Sequence, residues 1–361
     1  MRIGIDVSSI ELNKAGVGYF IYSLLNALLE IDKENEYFLY TNKIQNVEEF
    51  NIFENVLIKE IKSEKVDFKW IYSVSKVLRK DVELFISPSN FTFAILNRNV
   101  IQVVHDLAPI KFPQFFSKKG AISYRLQLEL AVRRAKKIIS PSESTRQELI
   151  QFFPRSHEKF FSISAGLHKW VRESISVEDI DNIKRKYNLP DRFLLTTGTL
   201  EPRKNHIKMI KAFKTFSRTN PEYFYVIIGK KGWYYKEIFK TVKQLGLGEK
   251  VIFLGYVPEE DLKGIYSNAS MFSFCSFYEG FGFPPLEAAK FKLPILCSEI
   301  DSLKEIFRES VVYCDPNDVD SIESGLQELV ETESLDYEKS LKEFTWDHSA
   351  EKLLELINKS K

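Results

Sequence analysis

The chain has 361 residues, a formal net charge of +1, 44% hydrophobic residues and 28% charged residues. This is the composition of an ordinary globular protein, and the length suits two domains better than a single hydrophobic core. No apolar run approaches the 18 residues that a membrane-spanning helix needs, and the near-neutral charge gives no indication of nucleic-acid binding.

The first half of the chain alternates strand-like and helix-like stretches. The predicted strands are "MRIGIDV", "EYFLYT", "VLIKEI", "LFISP", "NVIQVVHD", "KKIISPS" and "FFSISAG". The predicted helices include "GYFIYSLLNALLEI" and "AISYRLQLELAVRRA". Alternation of this kind favours an α/β fold with a parallel sheet and helices on both faces.

The alternation breaks near residue 170 and then resumes. Residues 171–190 are polar and charged, so we predict a linker there that includes a lead-in helix. The second set of predicted strands is "RFLLTTGTL", "YFYVIIG", "KVIFLGYV", "SMFSFCS", "LPILCS" and "SVVYCD". We therefore expect two Rossmann-like domains, 1–170 and 191–344. Ligands of such sheets bind at the carboxyl ends of the strands, so the loops that follow the strands should carry the chemistry.

Two features of the first half are candidates for binding. Gly16 and Gly18 follow the first strand and open a helix, but Ile21 stands where a dinucleotide motif needs its last glycine, and no acid follows the second strand. This argues against an NAD-dependent oxidoreductase and leaves a plain tight turn as the alternative. His105 ends a hydrophobic strand before Asp106, where it can bind a substrate hydroxyl or be hydrogen-bonded locally.

The second half holds a cation pair in "TTGTLEPRKNHIKMI", residues 196–210. A predicted strand ends at Gly198, and Arg203 and Lys204 precede a helix that begins near Asn205. A guanidinium binds phosphate oxygens in a bidentate manner and an ammonium acts as a point charge, so the pair suits a diphosphate. The alternative is two solvated surface charges.

Two glutamates stand eight positions apart in "SFYEGFGFPPLEAAKF", residues 276–291. Gly280 and Gly282 predict a bend, and the two following prolines predict the first turn of a helix. Glu279 should lie on the loop and Glu287 in the first helical turn. Carboxylates accept hydrogen bonds from vicinal hydroxyls, so the pair suits a sugar nucleotide. The alternative is that acids simply stabilise the start of the helix, which would explain Glu287 but not Glu279 or the two glycines.

Together these segments resemble the retaining nucleotide-sugar glycosyltransferases of family 4, which have the GT-B architecture of two Rossmann-like domains facing across a cleft. "EGFGFPPLE" is similar to the E-x7-E signature of that family, and "GTLEPRKN" to its phosphate-binding loop. "AGVGYF" and "HDL" resemble its glycine loop and active-site histidine. "FTWDHSAEKLLELI" resembles its last helix, which implies that residues from about 345 to 361 cross back to the N-terminal, acceptor-binding domain.

The resemblance implies a role for each matching residue. Glu279 would hold hydroxyls of the transferred sugar, Glu287 would hold the ribose, and His105 would contact the sugar near the reacting carbon. Arg203 and Lys204 would neutralise the leaving diphosphate. The remaining donor-binding positions implied are Gly16, Val17, Gly18, Gly198, Val257, Glu259, Gly280, Phe281, Gly282 and Phe283. An acid at Glu259 can accept from guanine N1–H and N2–H.

The resemblance also implies a reaction. The acceptor hydroxyl would attack on the face that the diphosphate leaves, and the leaving phosphate would take its proton, so no protein base, cofactor or metal is expected. Asp318 and Asp320 are interpreted as a helix cap. The motifs look most like bacterial mannosyltransferases of surface-polysaccharide assembly, which implies GDP-mannose. A UDP-sugar donor, or a non-catalytic subunit that binds sugar nucleotides, remains an alternative.

Two expectations concern location. The three cysteines form no Cys-x-x-Cys pair and the chain begins without a secretory signal, so we expect a cytoplasmic protein without a disulfide framework or zinc site. Residues 111–137 contain eight basic residues and one acidic residue. Such a helix can bind anionic lipid at the inner membrane face, and a solvated surface is the alternative.

Overall fold

The computed structural model describes residues 1–10, 16–63, 68–88, 93–95, 99–332 and 335–360. The chain divides into two compact units. Unit 1 comprises Met1–Gly166 and Phe344–Lys361, and unit 2 comprises Leu167–Glu343. Residues 13–15 of the predicted glycine loop, and the last residue of the predicted C-terminal segment, lie outside the described residues.

Unit 1 is built on a seven-stranded parallel sheet in the order β3-β2-β1-β4-β5-β6-β7. The strands β1 to β7 are Arg2–Asp6, Glu36–Thr41, Val56–Glu60, Leu84–Ser87, Val100–Val103, Lys137–Ser140 and Phe160–Ser162. The helices α1 to α5 are Val17–Ile31, Phe68–Asp81, Ala108–Lys111, Lys118–Arg134 and Glu143–Phe152. Short 3-10 helices are Ile44–Asn46, Glu48–Ile52, Phe93–Ile95, Pro113–Phe115 and Pro154–Lys159.

Unit 2 is built on a six-stranded parallel sheet in the order β10-β9-β8-β11-β12-β13. The strands β8 to β13 are Phe193–Thr197, Phe224–Ile228, Val251–Gly255, Met271–Phe274, Ile295–Ser298 and Val312–Cys314. The helices α6 to α14 are Lys169–Arg172, Val177–Lys186, His206–Thr219, Lys236–Gln244, Glu259–Asn268, Phe283–Lys290, Asp301–Phe307, Val319–Glu331 and Glu338–Glu343, and Pro202–Lys204 is a 3-10 helix.

The central strands of both sheets are buried along their whole length, as expected of parallel strands covered by helices on both faces. In unit 1 every residue of β4 and β5 is buried, and in unit 2 the same holds for β8, β11 and β12. These strands therefore read as continuous hydrophobic runs in the sequence. They place the carboxyl-end loops on a rigid base.

The C-terminal helix α15, Trp346–Asn358, belongs to unit 1, as the resemblance implied. The rings of Trp346 and Phe20 of α1 meet edge to face with centroids 5.6 Å apart. A Cβ atom on Gly166 would lie 2.5 Å from the backbone nitrogen of Trp346, so the two chain segments pass in close contact. The helix is therefore an integral part of the N-terminal unit.

The stretch predicted as a linker, 171–190, differs from that expectation because it is packed into unit 2, which begins at Leu167. Its helix α7 lies against α10, where a Cβ on Gly264 would come within 2.6 Å of Ile183. Lys186 Nζ and the Tyr187 hydroxyl both donate to Asp261 Oδ2 at 2.6 Å. The predicted lead-in helix is therefore present as α7, but it buries Ile183 in unit 2 instead of forming part of a free linker.

No helix among the described residues is long and apolar enough to cross a membrane.

Candidate functional site

The loops that follow β8 and β11 meet at the carboxyl edge of the unit 2 sheet. These two strands are neighbours at its centre, although β9 and β10 separate them in the sequence. The amide of Phe277 donates to the carbonyl of Arg203 at 2.9 Å and joins the two loops. This pairing brings together the two most informative motifs of the sequence.

Arg203, Lys204 and Glu279 form one buried cluster there. Lys204 Nζ donates to Glu279 Oε1 at 2.6 Å, and Arg203 Nη1 donates to Glu279 Oε2 at 2.8 Å. The two cationic side chains are only 13% and 15% exposed, so they are not solvated surface charges. Arg203 Nη1 also donates to the carbonyl of Tyr278 at 2.9 Å, which fixes the plane of the guanidinium.

A second carboxylate, Glu201, completes the cluster and was not predicted. Its Oε1 accepts from Arg203 Nε at 3.0 Å and lies 2.8 Å from Nη2. Glu201 was not among the candidate residues, although an acid two residues before an arginine is well placed to orient it. When ionised, the two carboxylates balance the two cations.

The electrostatics of the cluster show strong coupling. Burial alone would raise the pKa of Glu279, but Arg203 and Lys204 outweigh it and lower that pKa to about 2. Burial lowers the pKa of Lys204, with the Glu279 carboxylate opposing the shift. Burial raises the pKa of Glu201 although both cations favour its charged form. Glu279 is thus an anion at neutral pH, able to accept hydrogen bonds.

The backbone around the cluster explains the glycines and the turn. A Cβ on Gly229 would lie 1.9 Å from the carbonyl oxygen of Gly198, so the loops after β8 and β9 require glycine to approach this closely. Asn205 takes a left-handed φ of 59° at the start of α8. Its Nδ2 donates to the carbonyls of Cys275 and Pro316 at 3.0 and 2.8 Å, which ties the turn to the neighbouring loops.

The bend after Glu279 has the predicted form. Gly282 takes a φ of 139° immediately before α11, and both prolines lie in its first turn. Because α11 begins at Phe283, Glu287 is its fifth residue and lies at the start of the second turn, just past the predicted first turn. The Phe281 and Phe283 rings meet at 5.3 Å on either side of Gly282, and Gly280 precedes them.

Glu287 belongs to a second buried network. Its Oε1 lies 2.6 Å from His168 Nδ1, and its Oε2 accepts from the Tyr266 hydroxyl at 2.8 Å. Because the Tyr266 hydroxyl donates its hydrogen bond to Glu287, its oxygen accepts one from Thr197 Oγ1 at 3.0 Å. Burial, followed by the charge of Glu287, raises the pKa of Tyr266. The His168 ring also stacks on Phe283 with centroids 4.6 Å apart.

His168 and Tyr266 were missed by the sequence interpretation. His168 precedes Glu287 by 119 positions and Tyr266 precedes it by 21, so no local pattern connects them. Two further predicted donor-binding positions, Val257 and Glu259, lie after β10. Val257 is buried in the loop after β10, and Glu259 begins α10 after Pro258.

The predicted residues of unit 1 occupy the positions expected within that unit. Gly16, at φ 43°, precedes α1, and Val17 is its first residue. A Cβ on Gly18 would lie 2.6 Å from the carbonyl oxygen of Ser9, so a close approach of two backbones requires this glycine. His105 follows β5, as predicted.

His105 makes the local contact that the sequence left open as an alternative. Its Nε2 donates to the carbonyl of Pro88 at 2.6 Å, and its ring meets Phe20 edge to face. Burial lowers the pKa of His105. With Nε2 protonated, Nδ1 is an acceptor that suits a hydroxyl. Asp106 accepts from the amide of Ala108 at 2.9 Å, so it supports the start of α3.

Asp318 caps α13, as interpreted from the sequence: its side chain accepts from the amide of Asp320 at 3.0 Å. Among the described residues, no three His, Cys, Asp or Glu side chains are grouped as metal ligands would be.

Comparison with known proteins agrees with this geometry. Residues 179–345, nearly the whole of unit 2, match the family model "Glycosyl transferases group 1". This segment of the chain is therefore similar to group 1 glycosyltransferases. The chain is 28% identical to O-antigen chain mannosyltransferase B of Escherichia coli over 68% of this chain and 65% of that protein. It is 27% identical to the serotype-specific mannosyltransferase WbdA of Escherichia coli over 74% of this chain and 34% of WbdA.

The matches therefore span just under two thirds of the first relative and about a third of the second. In three dimensions the chain is similar to Anabaena Alr3699/HepE, with a TM-score of 0.77, 16% identity, and coverage of 99% of this chain and 100% of HepE. The fold is GT-B, and the predicted resemblance to bacterial mannosyltransferase-like glycosyltransferases is confirmed.

Proposed function

We propose that the protein is a retaining mannosyltransferase that moves mannose from GDP-mannose to a glycan or lipid-linked glycan acceptor. One observation carries the proposal: a buried carboxylate, Glu279, is held between two buried cations, Arg203 and Lys204, at the carboxyl edge of the sheet. In this proposal the anion binds the sugar and the two cations bind the phosphates. The names of the two Escherichia coli relatives support mannose as the sugar and polysaccharide as the product.

In this proposal the cluster changes partners when the donor binds. The Glu279 carboxylate accepts a hydrogen bond from each of the two cations. A bound diphosphate brings oxygens that accept from Arg203 and Lys204, while Glu201 keeps the guanidinium oriented. Glu279 then directs its lone pairs to hydroxyls of the mannose. Glu287 holds the ribose through lone pairs that His168 and Tyr266 leave open.

The chemical step in this proposal depends on the leaving group. The bond from the anomeric carbon to the diphosphate breaks as the acceptor hydroxyl attacks the same face. The hydroxyl proton passes to the leaving phosphate, so the protein needs no separate base. Arg203 and Lys204 stabilise the charge that develops on the diphosphate, and a preorganised donor of this kind typically contributes about 3 kcal/mol. We propose that these two cations serve where other transferases use a metal.

A chelator experiment tests this last point. Transfer should continue at the full rate in excess chelator. Complete loss of activity that Mn²⁺ restores would reject it.

The donor is tested by a screen with product analysis. Purified protein is given GDP-mannose, UDP-glucose and other sugar nucleotides, and the anomeric configuration of the product is determined by NMR. GDP-mannose should be the best donor and the new linkage should keep the donor's configuration. A preference for UDP-sugars would favour the alternative donor class. Binding without turnover of any donor would favour a non-catalytic subunit.

We further propose that α4 contacts the anionic, cytoplasmic surface of a membrane. A lipid-linked acceptor would be held at that surface. Ile122, Leu126 and Leu130 recur every fourth residue and are 61%, 56% and 37% exposed, while Leu128 and Val132 face the core. The outward apolar stripe lies within the basic segment 111–137, which supports an anionic occupant rather than a neutral one.

Vesicle co-sedimentation tests the membrane proposal. Binding should rise when phosphatidylglycerol is added to phosphatidylcholine vesicles, and Leu126→Glu should abolish it. As a matched control, Leu57→Glu changes an exposed leucine of similar exposure, 52%, on an edge strand and should leave binding unchanged. Sedimentation that ignores anionic lipid, or a concentration-dependent dimer that Leu126→Glu disrupts, would reject the proposal.

A further inference from the structure

A groove in unit 1 is lined by none of the residues assigned to the donor. Its volume is about 470 Å³, and every residue of β7, the outer strand of the seven-stranded sheet, lines it. The other lining residues come from α5, from the 3-10 helix Pro154–Lys159 and from the second half of α15. We call this cavity the β7 groove. Its volume is that of a site for a small molecule.

Part of the lining of the β7 groove is apolar. Phe160, Ile163 and Leu356 are 3%, 2% and 6% exposed, and the ring of Phe161 is partly buried. Lys137 Nζ lies 5.6 Å from the centre of the Phe161 ring, so a cation accompanies the aromatic side chain. A ligand with an apolar portion can remove that portion from water here.

The cations of the lining are only partly neutralised. Arg146 Nη2 lies 2.6 Å from Glu143 Oε1, and Lys359 is paired with Glu355. The third cation of the lining, Lys352, is exposed and has no carboxylate partner within the described part of the chain. One cation of the groove is therefore available to an incoming anion.

Two more lysines beside the groove are held by backbone carbonyls and not by carboxylates. Lys136 Nζ donates to the carbonyl of Ser360 at 2.7 Å, and Lys137 Nζ donates to the carbonyl of Leu356 at 2.9 Å. These carbonyls end α15, where cations are favourable, but a carbonyl carries no net charge. The lining acid Glu158 has no ion-pair partner among the described residues and offsets one positive charge only. An excess of positive charge remains.

The pKa of Lys137 is lowered in agreement with this excess. Burial lowers it most, and the charges of Lys136 and Lys359 lower it further. The charge of Lys359 therefore acts on Lys137 although Glu355 is bound to it. A cleft with an excess of one charge attracts ligands of the opposite charge, so the β7 groove suits an anion.

We propose that the β7 groove binds a small anion that also has an apolar portion, such as the phosphate ester or carboxylate of a ring compound. The anionic group lies at Lys352 and Lys359, and the ring packs against Phe161. This site lies wholly within unit 1 and does not depend on the identity of the donor.

Calorimetry with three probes tests the proposal on the full chain. Phenyl phosphate carries both the charge and the ring, inorganic phosphate carries the charge alone, and phenol carries the ring alone. Phenyl phosphate should bind more tightly than inorganic phosphate, and phenol should bind more weakly than either. Phe161→Leu should bring the affinity for phenyl phosphate down to that for inorganic phosphate, because the ring loses its stacking partner.

Charge reversal locates the binding site. Lys352→Glu combined with Lys359→Glu changes two exposed side chains and should weaken phenyl phosphate about tenfold, because two attractions become repulsions. Lys43→Glu, which reverses an exposed lysine after β2 of the same unit, should leave the affinity unchanged. Lys204→Ala should leave it unchanged as well, because the buried cation cluster belongs to unit 2. Urea unfolding confirms that each variant is folded.

Three results would overturn the proposal. The first is an absence of phenyl phosphate binding at millimolar concentration. The second is a wild-type affinity in the folded double variant of Lys352 and Lys359, and loss of binding in Lys204→Ala would then assign the anion to unit 2. The third is an equal affinity for phenyl phosphate and inorganic phosphate that Phe161→Leu does not alter, because the groove would then have no part in binding the ring.

Discussion

Replacing Glu279 by glutamine separates the electrostatic role of this residue from its role in transfer. Glu279→Gln keeps the shape of the side chain but leaves Arg203 and Lys204, both largely buried, with one carboxylate fewer. Removing one partner of a buried ion pair typically costs about 3–5 kcal/mol. A pKa lowered from 4.5 to about 2 corresponds independently to about 3 kcal/mol at neutral pH. We therefore expect the unfolding free energy at pH 7 to fall by about 3 kcal/mol.

The stability that Glu279 contributes should decrease as the pH falls. Because the pKa of Glu279 is lowered in the folded state, its contribution is present above pH 4.5 and is lost as the pH falls toward 2. The gap in unfolding free energy between wild type and variant should shrink by about 1 kcal/mol between pH 4.5 and 3.5. Urea unfolding followed by fluorescence measures both quantities. Glu299→Gln, which breaks an exposed 2.8 Å pair with Lys304, should cost under about 1 kcal/mol.

Glu279→Gln should affect pyrophosphate binding and sugar transfer differently. Pyrophosphate should bind Glu279→Gln at least as tightly as wild type, because the competing carboxylate is gone. Transfer should fall at least tenfold, because the hydroxyls of the sugar lose their charged acceptor. Wild-type stability in the variant, or a stability gap that does not narrow in acid, would refute the electrostatic reasoning. Wild-type transfer would refute the assignment of Glu279 to the sugar.

Three other outcomes are expected. Lys204→Ala should weaken GDP and pyrophosphate at least tenfold by calorimetry, whereas Lys211→Ala, an exposed lysine on α8, should not. Gly229→Ala should lower the unfolding free energy by at least about 2 kcal/mol through its clash with a backbone carbonyl, and Gly248→Ala, where no atom lies within 4 Å, should be tolerated. Burial lowers the pKa of His206 to about 4, so wild type should lose about 2 kcal/mol more than His206→Gln between pH 7 and pH 5.

The sequence predicted the fold class because the physical signals are local. Buried parallel strands read as apolar runs, amphipathic helices separate them, and ligand loops follow the strands. The bend before α11 was predicted for the same reason, since Gly282 and the two prolines act on their own backbone. The linker prediction failed because burial of Ile183 depends on α10, which lies about 80 residues later and leaves no trace in the local composition.

The contacts between site residues on different loops could not be predicted from the sequence. Arg203, Lys204 and Glu279 were each assigned to a ligand, but their contact with one another depends on β8 and β11 being neighbours. That adjacency results from crossover connections and cannot be read from strand order along the chain. The contact between His168 and Glu287 is more distant still, since it joins the first helical segment of unit 2 to α11.

Glu201 explains how the proposed diphosphate site can be buried before a ligand binds. Two cations with only Glu279 for a partner would leave one positive charge in a largely dry environment, which is strongly unfavourable. Glu201 supplies the second negative charge, and its contacts to Arg203 fix the guanidinium in one orientation. Burial raises the pKa of Glu201, so Glu201 is protonated more readily than Glu279. The charges of the cluster are therefore balanced, and in the proposed function a diphosphate replaces Glu279 as the partner of cations that are already in place.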